Sequence, residues 1–166
     1  MITGPASLGV STPGDSEVVV TRSFSAPRQL VFDAHTKPDL VRRWLLGPPG
    51  WTMAVCDIDL RVGGRYRYAW KGPAGASLAM GGVFRAIVAP ERVISTERFD
   101  GDESPGETVD TMVLTESDGF TTLTLTVRYP SPAARAGMLA AGMTEGLAAG
   151  YARLDEVVAA LAARGG

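Results

Sequence analysis

The chain has 166 residues, 45% of them hydrophobic and 20% charged, with a formal net charge of −2. That composition is expected of a soluble globular protein with one substantial core, and scattered basic residues with no clustered stripe argue against a nucleic-acid backbone as partner. Cys56 is the single cysteine, which excludes an intrachain disulfide and a cysteine-based metal cluster and makes a reducing cytoplasm the expected location.

Residues 1–16, rich in Gly, Pro, Ser and Thr, have neither the basic and apolar segments of a signal peptide nor a periodic apolar face. They read as a flexible tail ahead of a single domain over 17–164, and no run approaches the roughly 18 apolar residues of a membrane span. The β-branched run Val18, Val19, Val20 and Thr21 predicts a strand ending at Ala26-Pro27. Leu30, Val31 and Ala34 then fall at helical spacing, and Pro38 predicts the start of a second short helix through Leu40, Val41 and Trp44. From Trp51 to Thr126 the period is two, with Tyr66, Tyr68 and Trp70 on one face and Arg65, Arg67 and Ala69 on the other. Gly63-Gly64, Gly72-Pro73-Ala74-Gly75, Ala89-Pro90, Asp100-Gly101 and Asp118-Gly119 separate the strands, and short links favour an antiparallel meander. The count is about seven strands.

A long helix is predicted over 133–163, where Leu139, Met143, Leu147, Tyr151, Leu154, Val158 and Leu161 recur at steps of three and four. Gly142, Gly146 and Gly150 recur every fourth residue within it. Glycine costs a helix interior roughly 1 kcal/mol relative to alanine, so such a stripe implies close approach of a sheet or a ligand. At roughly 1.5 Å per residue the helix crosses a sheet of this width diagonally, and the sheet must curl around it.

These residues also carry a family resemblance. Phe24-x-Ala26-Pro27-x-x-x-Val31-Phe32, Thr36-x-Pro38-x-x-x-x-x-Trp44, Gly47-Pro48 and Trp51, then Asp59-Leu60-Arg61-x-Gly63-Gly64, Gly82-x-Phe84, Pro90-Glu91-Arg92, Thr96-Glu97-x-Phe99 and Gly142-Met143-x-x-x-Gly146, appear in order over residues 17 to 163. Together they resemble the START-like, polyketide-cyclase-like (SRPBCC) superfamily, in the branch named after the activator of the ninety-kilodalton heat-shock chaperone's ATPase. The resemblance implies an α+β helix-grip fold, in which a curved antiparallel sheet wraps a long C-terminal helix and leaves a cavity between them. It implies a small apolar or aromatic ligand in that cavity, with two alternatives: a co-chaperone-like interaction module, or a cyclase or hydrolase acting on a bound substrate. Many bacterial relatives of this type have no established activity. A homodimer and a chaperone partner are compatible with it, and no cofactor is implied. One departure from the branch is Ala86, where relatives often carry glutamate.

The residues expected to line the cavity are Trp44, Trp51, Tyr66, Tyr68, Trp70, Phe84, Phe99, Met112, Met143, Gly146 and Gly150, joined by Met80, Met138 and Tyr151. Large aromatic walls with adaptable methionines suit an apolar pocket, although core packing alone uses the same residues. His35 and Glu97 are the weak catalytic candidates. The only histidine in the chain, His35, has the right ordinary pKa for proton transfer, but bonding to a helix-end or loop carbonyl is its commoner use. Glu97 shares the face of Phe99, and an ion pair with Arg61 or Arg85 is its expected role. Asp57, Asp59 and Arg61 share a strand face and read as a solvated ion pair, while Cys56 reads as a small core residue. No metal site follows from a lone histidine.

Overall fold

The computed structural model describes residues 7–101 and 106–165. In chain order these form β1 (Gly9–Ser11), β2 (Glu17–Phe24), α1 (Arg28–Thr36), α2 (Pro38–Val41), β3 (Thr52–Ile58), β4 (Arg65–Lys71), β5 (Ser77–Val88), β6 (Arg92–Phe99), β7 (Thr108–Ser117), β8 (Phe120–Arg128), α3 (Pro132–Ala140) and α4 (Met143–Gly165). The strands make one sheet in the order β1-β2-β8-β7-β6-β5-β4-β3, antiparallel at every pairing. From β3 to β8 each strand pairs with the next in sequence, so short links suffice. Between β7 and β8, Asp118 and Gly119 adopt φ of 55° and 80°, the paired positive values of a two-residue hairpin turn.

The sheet has one more strand than the alternation suggests, because β1 lies in the segment read as a tail. Gly9, Val10 and Ser11 pair with Thr21, Val20 and Val19. Arg135 Nη1 also donates to the carbonyls of Gly14 (3.1 Å) and Glu17 (3.2 Å), tying this segment to α3. All of these contacts are made to the backbone of the segment, which side-chain periodicity does not encode. Residues 1–6 of the proposed tail lie outside the described residues.

The predicted helix over 133–163 is two helices. Ser131 accepts a hydrogen bond from the Ala134 amide at 3.0 Å and Pro132 occupies the first turn of α3. Gly142, at φ 91°, then ends it in the left-handed conformation that suits glycine just past a helix. The stripe of glycines is accordingly not one packed face. Gly142 stands between helices, where an added methyl meets only the Glu145 carboxylate at 3.6 Å, one at Gly146 meets nothing within 4 Å, and one at Gly150 meets the Trp44 ring at 3.6 Å.

α4 lies on the inner face of the sheet, where Tyr151, Leu154, Val157 and Val158 join Val18, Val20, Phe24, Leu114, Leu123 and Val127 in the core. A fork of two hydrogen bonds fixes it there. Arg22 Nη1 and Nη2 donate to Asp155 Oδ1 and Oδ2 at 3.0 and 2.6 Å. The Arg22 side chain is 3% exposed against 35% for Asp155, and the guanidinium carbon sits 4.9 Å from the centre of the Phe24 ring. Two residues before Asp155, Arg153 donates to the carbonyls of Trp44 (3.0 Å) and Gly47 (2.9 Å), joining α4 to the α2–β3 loop.

Two stability outcomes follow. Asp155→Ala strands a buried guanidinium and should cost about 2–3 kcal/mol in urea unfolding, whereas Arg22→Met with Asp155→Leu should recover most of that loss. Gly146→Ala should stabilise the protein by about 0.4–1 kcal/mol, because the added methyl meets open space, while Gly142→Ala should destabilise it by about 1–2 kcal/mol through its positive φ.

Candidate ligand-binding site

Strand register brings the aromatic candidates onto one face. Tyr66, Tyr68 and Trp70 of β4 lie opposite Gly82, Met80 and Leu78 of β5, and Phe84 and Phe99 continue the surface onto β5 and β6. The rings form a ladder, with centroids 5.2 Å apart for Tyr66 and Tyr68, 5.4 Å for Tyr66 and Phe84, and 6.0 Å for Tyr68 and Trp70. On the helical side Trp44 stacks on Tyr151 at 5.9 Å, and Trp44 Nε1 is spent on the Ala34 carbonyl at 2.8 Å. Trp51 packs against Gly47 and Gly72 in the loops next to β3 and β4. Met112 lies between Val93 and Leu125 in the centre of the sheet, and the Met143 sulfur accepts the Tyr129 hydroxyl at 3.0 Å. Gly146 is exposed and does not line this space.

The space itself is almost closed by these side chains. A void of about 10 Å³ remains, bounded by Glu97, Phe99, Gly106, Thr108, Tyr129 and Met138. A groove of about 680 Å³ lies elsewhere, with Arg65, Arg67, Gly81, Arg98 and Asp100 in its wall. Gly81 pairs with both Arg67 and Arg98, so the groove follows from a missing side chain between two arginines on the outer face.

Glu97 forms no ion pair with Arg61 or Arg85. Arg61 bonds Asp59 at 2.9 Å on the surface, as expected, and Arg85 approaches Glu107 at 3.7 Å. Glu97 instead meets Asp110, a residue that sequence reasoning missed. Glu97 pairs with Thr108 across β6 and β7 and Ser95 with Asp110, so the two acids sit diagonally on the inner face. Thr108 Oγ1 donates to Asp110 Oδ1 at 2.8 Å. Burial pushes the Glu97 carboxyl well above its ordinary pKa, and the charge of Asp110 and a hydrogen bond to it add to the rise. Asp110 is also raised by burial, against the pull of hydrogen bonds from Glu97 and Thr108. The two carboxyls therefore titrate as one hydrogen-bonded pair, and burial favours the protonated form of both. The inward alternation of Thr108, Asp110 and Met112 was the available signal.

Phenols surround this pair. The Tyr66 hydroxyl donates to the Thr96 carbonyl at 2.6 Å and Tyr129 to Met143, whereas the Tyr68 and Tyr151 hydroxyls have no hydrogen bond among the described residues. Burial raises all four pKa values, with Glu97 or Asp110 adding to each.

His35 makes the helix-carbonyl contact that its common use implies. Its Nδ1–H donates to the Val31 carbonyl at 2.7 Å, leaving Nε2 as the bare acceptor. Nε2 is buried without a partner, against Trp44 at 5.0 Å and Tyr151 at 6.4 Å between ring centres. Desolvation lowers its pKa to about 4, opposed by the Val31 bond. Cys56 is buried as a core residue. Among the described residues no cluster of three or more ligating side chains suits a metal, and no helix is long and apolar enough to cross a membrane.

The two titrations oppose each other. His35 binds its proton more weakly in the fold than in the unfolded chain, so its contribution is present above about pH 6.5 and is lost as pH falls toward 4. The acid pair binds its proton more tightly in the fold, so it disfavours folding as pH rises through the carboxylate range. Relative to His35→Gln, the wild-type protein should therefore lose about 1–3 kcal/mol of stability between neutral pH and pH 4, measured by urea unfolding at each pH. A constant difference would show that Nε2 reaches water.

A family model for activator of Hsp90 ATPase homolog 1-like proteins matches residues 25–159. Among solved structures, a Rhodobacter sphaeroides protein is 31% identical, with 92% of this chain and 98% of that one covered and a TM-score of 0.86. A Mycobacterium smegmatis protein is 25% identical over 93% and 97% of the two chains, at a TM-score of 0.81. An Hsp90 activator from Plasmodium falciparum shares 22% identity over 69% of this chain and 73% of that one, at a TM-score of 0.52, a likeness of fold. None of the curated proteins matches the sequence. The helix on the inner face of an antiparallel sheet and the family match over most of the chain lead to one assignment: this protein belongs to the activator of Hsp90 ATPase homolog 1-like family and has its helix-grip fold.

Proposed function

We propose that the chain binds a small apolar or aromatic molecule between α4 and the inner face of the sheet. The observation that carries this reading is the aromatic ladder of Tyr66, Tyr68, Trp70 and Phe84 facing α4 beside the buried Glu97–Asp110 pair. A wall of this kind, with a few convergent polar groups, is the usual make-up of a small-molecule site. The ligand makes its room by displacing methionines: Met138 of α3 covers the void, and unbranched thioethers repack at low cost. Gly142, which separates α3 from α4, provides the joint about which α3 yields.

Native mass spectrometry of freshly purified protein should show a retained small molecule, and a fluorescent apolar probe should bind the stripped protein. Replacing Met112 by Trp fills the centre of the face and should weaken the probe at least tenfold, about 1.4 kcal/mol. Unchanged probe affinity in a folded Met112→Trp protein would place binding elsewhere.

The family's description favours a second reading, stimulation of a heat-shock chaperone ATPase. Its test is the ATPase rate of the chaperone with and without this chain. A rise in that rate that persists in Met112→Trp would assign the function to an outer surface rather than to the inner face.

A further inference from the structure

We propose that the outer face of the sheet binds a phosphate monoester of a small organic molecule, with the phosphate held between Arg65 and Arg98 over Gly81. This site lies on the opposite face from the apolar one and does not depend on it. The groove of about 680 Å³ runs across the outer face, with Asp57, Arg65, Arg67, Arg98, Asp100 and Glu107 as its charged lining. The backbone holds its floor open. A Cβ at Gly81 would stand 2.7 Å from the Tyr66 carbonyl oxygen, and one at Gly82 would overlap that of Thr96, so a side chain fits at neither position.

Strand register offers each of these arginines an acid that it does not use. Arg65 faces Asp59, Arg67 faces Asp57, and Glu107 lies one step beyond the Glu97–Thr108 pair, level with Arg98. The acids are engaged elsewhere. Asp59 bonds Arg61, Glu107 approaches Arg85, and Arg67 forks onto Asp100 rather than Asp57. The exposed Arg65 and Arg98 side chains are left with no ion pair or hydrogen bond among the described residues. Arg98 lies opposite Gly81 and Arg65 opposite Val83, so their Cα atoms stand roughly 12 Å apart, two strand spacings across and one side-chain repeat along. Two extended arginine side chains close that span from both ends, above the glycine. Asp57, the unpaired acid of the lining, sits on β3 beside Arg67 and three strands from Arg98. One acceptor must serve both free guanidiniums. A carboxylate brings a single charge, whereas a phosphate monoester brings three oxygens and about −1.5 to −2 charge at neutral pH, enough for a fork on either side. The groove has room for more than the phosphate, since small-molecule sites occupy roughly 300–1,000 Å³, and Val83 gives an organic body an apolar contact.

Amide chemical shifts of nitrogen-15-labelled protein, followed in low salt at neutral pH during titration with phenyl phosphate and with inorganic phosphate, test this directly. Phenyl phosphate should shift the Gly81 and Gly82 amides and bind about fivefold more tightly than inorganic phosphate. Arg65→Gln and Arg98→Gln, both surface changes that leave the fold intact, should each weaken phenyl phosphate by about tenfold. Arg43→Gln removes the same charge from an exposed arginine outside the groove and should leave binding within about twofold. An equal loss in Arg43→Gln would reduce the effect to net charge and overturn the site. Shifts confined to α4 and the inner face would move phenyl phosphate to the apolar site, and no shift at all would leave the groove without an anion; either result overturns the proposal and leaves the apolar reading untouched. Equal affinity for the two phosphates would mean an adventitious ion only.

Discussion

The arrangement of this protein depends on the contact between Arg22 and Asp155. A helix on a sheet has many nearly equivalent apolar registers, since area burial is non-directional. A two-pronged guanidinium–carboxylate fork has one, and here it forms between the second half of β2 and the middle of α4 with the arginine almost wholly buried. With that crossing point set, Tyr151 meets Phe24 edge to face at 5.7 Å, Gly150 faces Trp44, and Arg153 reaches the loop after α2. The cost is dependence on a buried charge that no apolar contact can replace if its partner is lost.

The same inner face holds a second ionic group that does the opposite. Arg22 and Asp155 satisfy each other, whereas Glu97 and Asp110 are two carboxyls buried side by side with no ion pair to Arg or Lys among the described residues. Folding alone has no use for that arrangement, since two apolar side chains of similar volume would pack the same sheet at less cost. Local violations of this kind concentrate where a protein binds something. The nearly filled interior is consistent with this, because the side chains that close it near the acids include methionine from a helix that Gly142 separates from the main lid.

Much of the fold was legible in the sequence because its signals are local. Alternation sorted Tyr66, Tyr68 and Trp70 from Arg65 and Arg67, and Asp118-Gly119 marked the β7–β8 hairpin, since both reflect the geometry of neighbouring residues. The family pattern supplied the rest of the architecture. The failures came where a local signal had two solutions. Glycine at four-residue spacing is compatible with a packed stripe or with a helix break, and only the φ of 91° at Gly142 separates them. A segment with no side-chain periodicity can still add a strand through its backbone, as Gly9–Ser11 does.

The sequence by itself determined the element types, the antiparallel connectivity and which residues share each strand face, because all three depend on contacts within or between adjacent elements. Only the tertiary structure decided the partners. Glu97 met Asp110 rather than an arginine, Arg22 met Asp155 across 133 positions of chain, and His35 lost access to water at one nitrogen. Such pairings are set by strand register and by the placing of α4 on the sheet, and the charge on a side chain says nothing of which distant group will be brought to it.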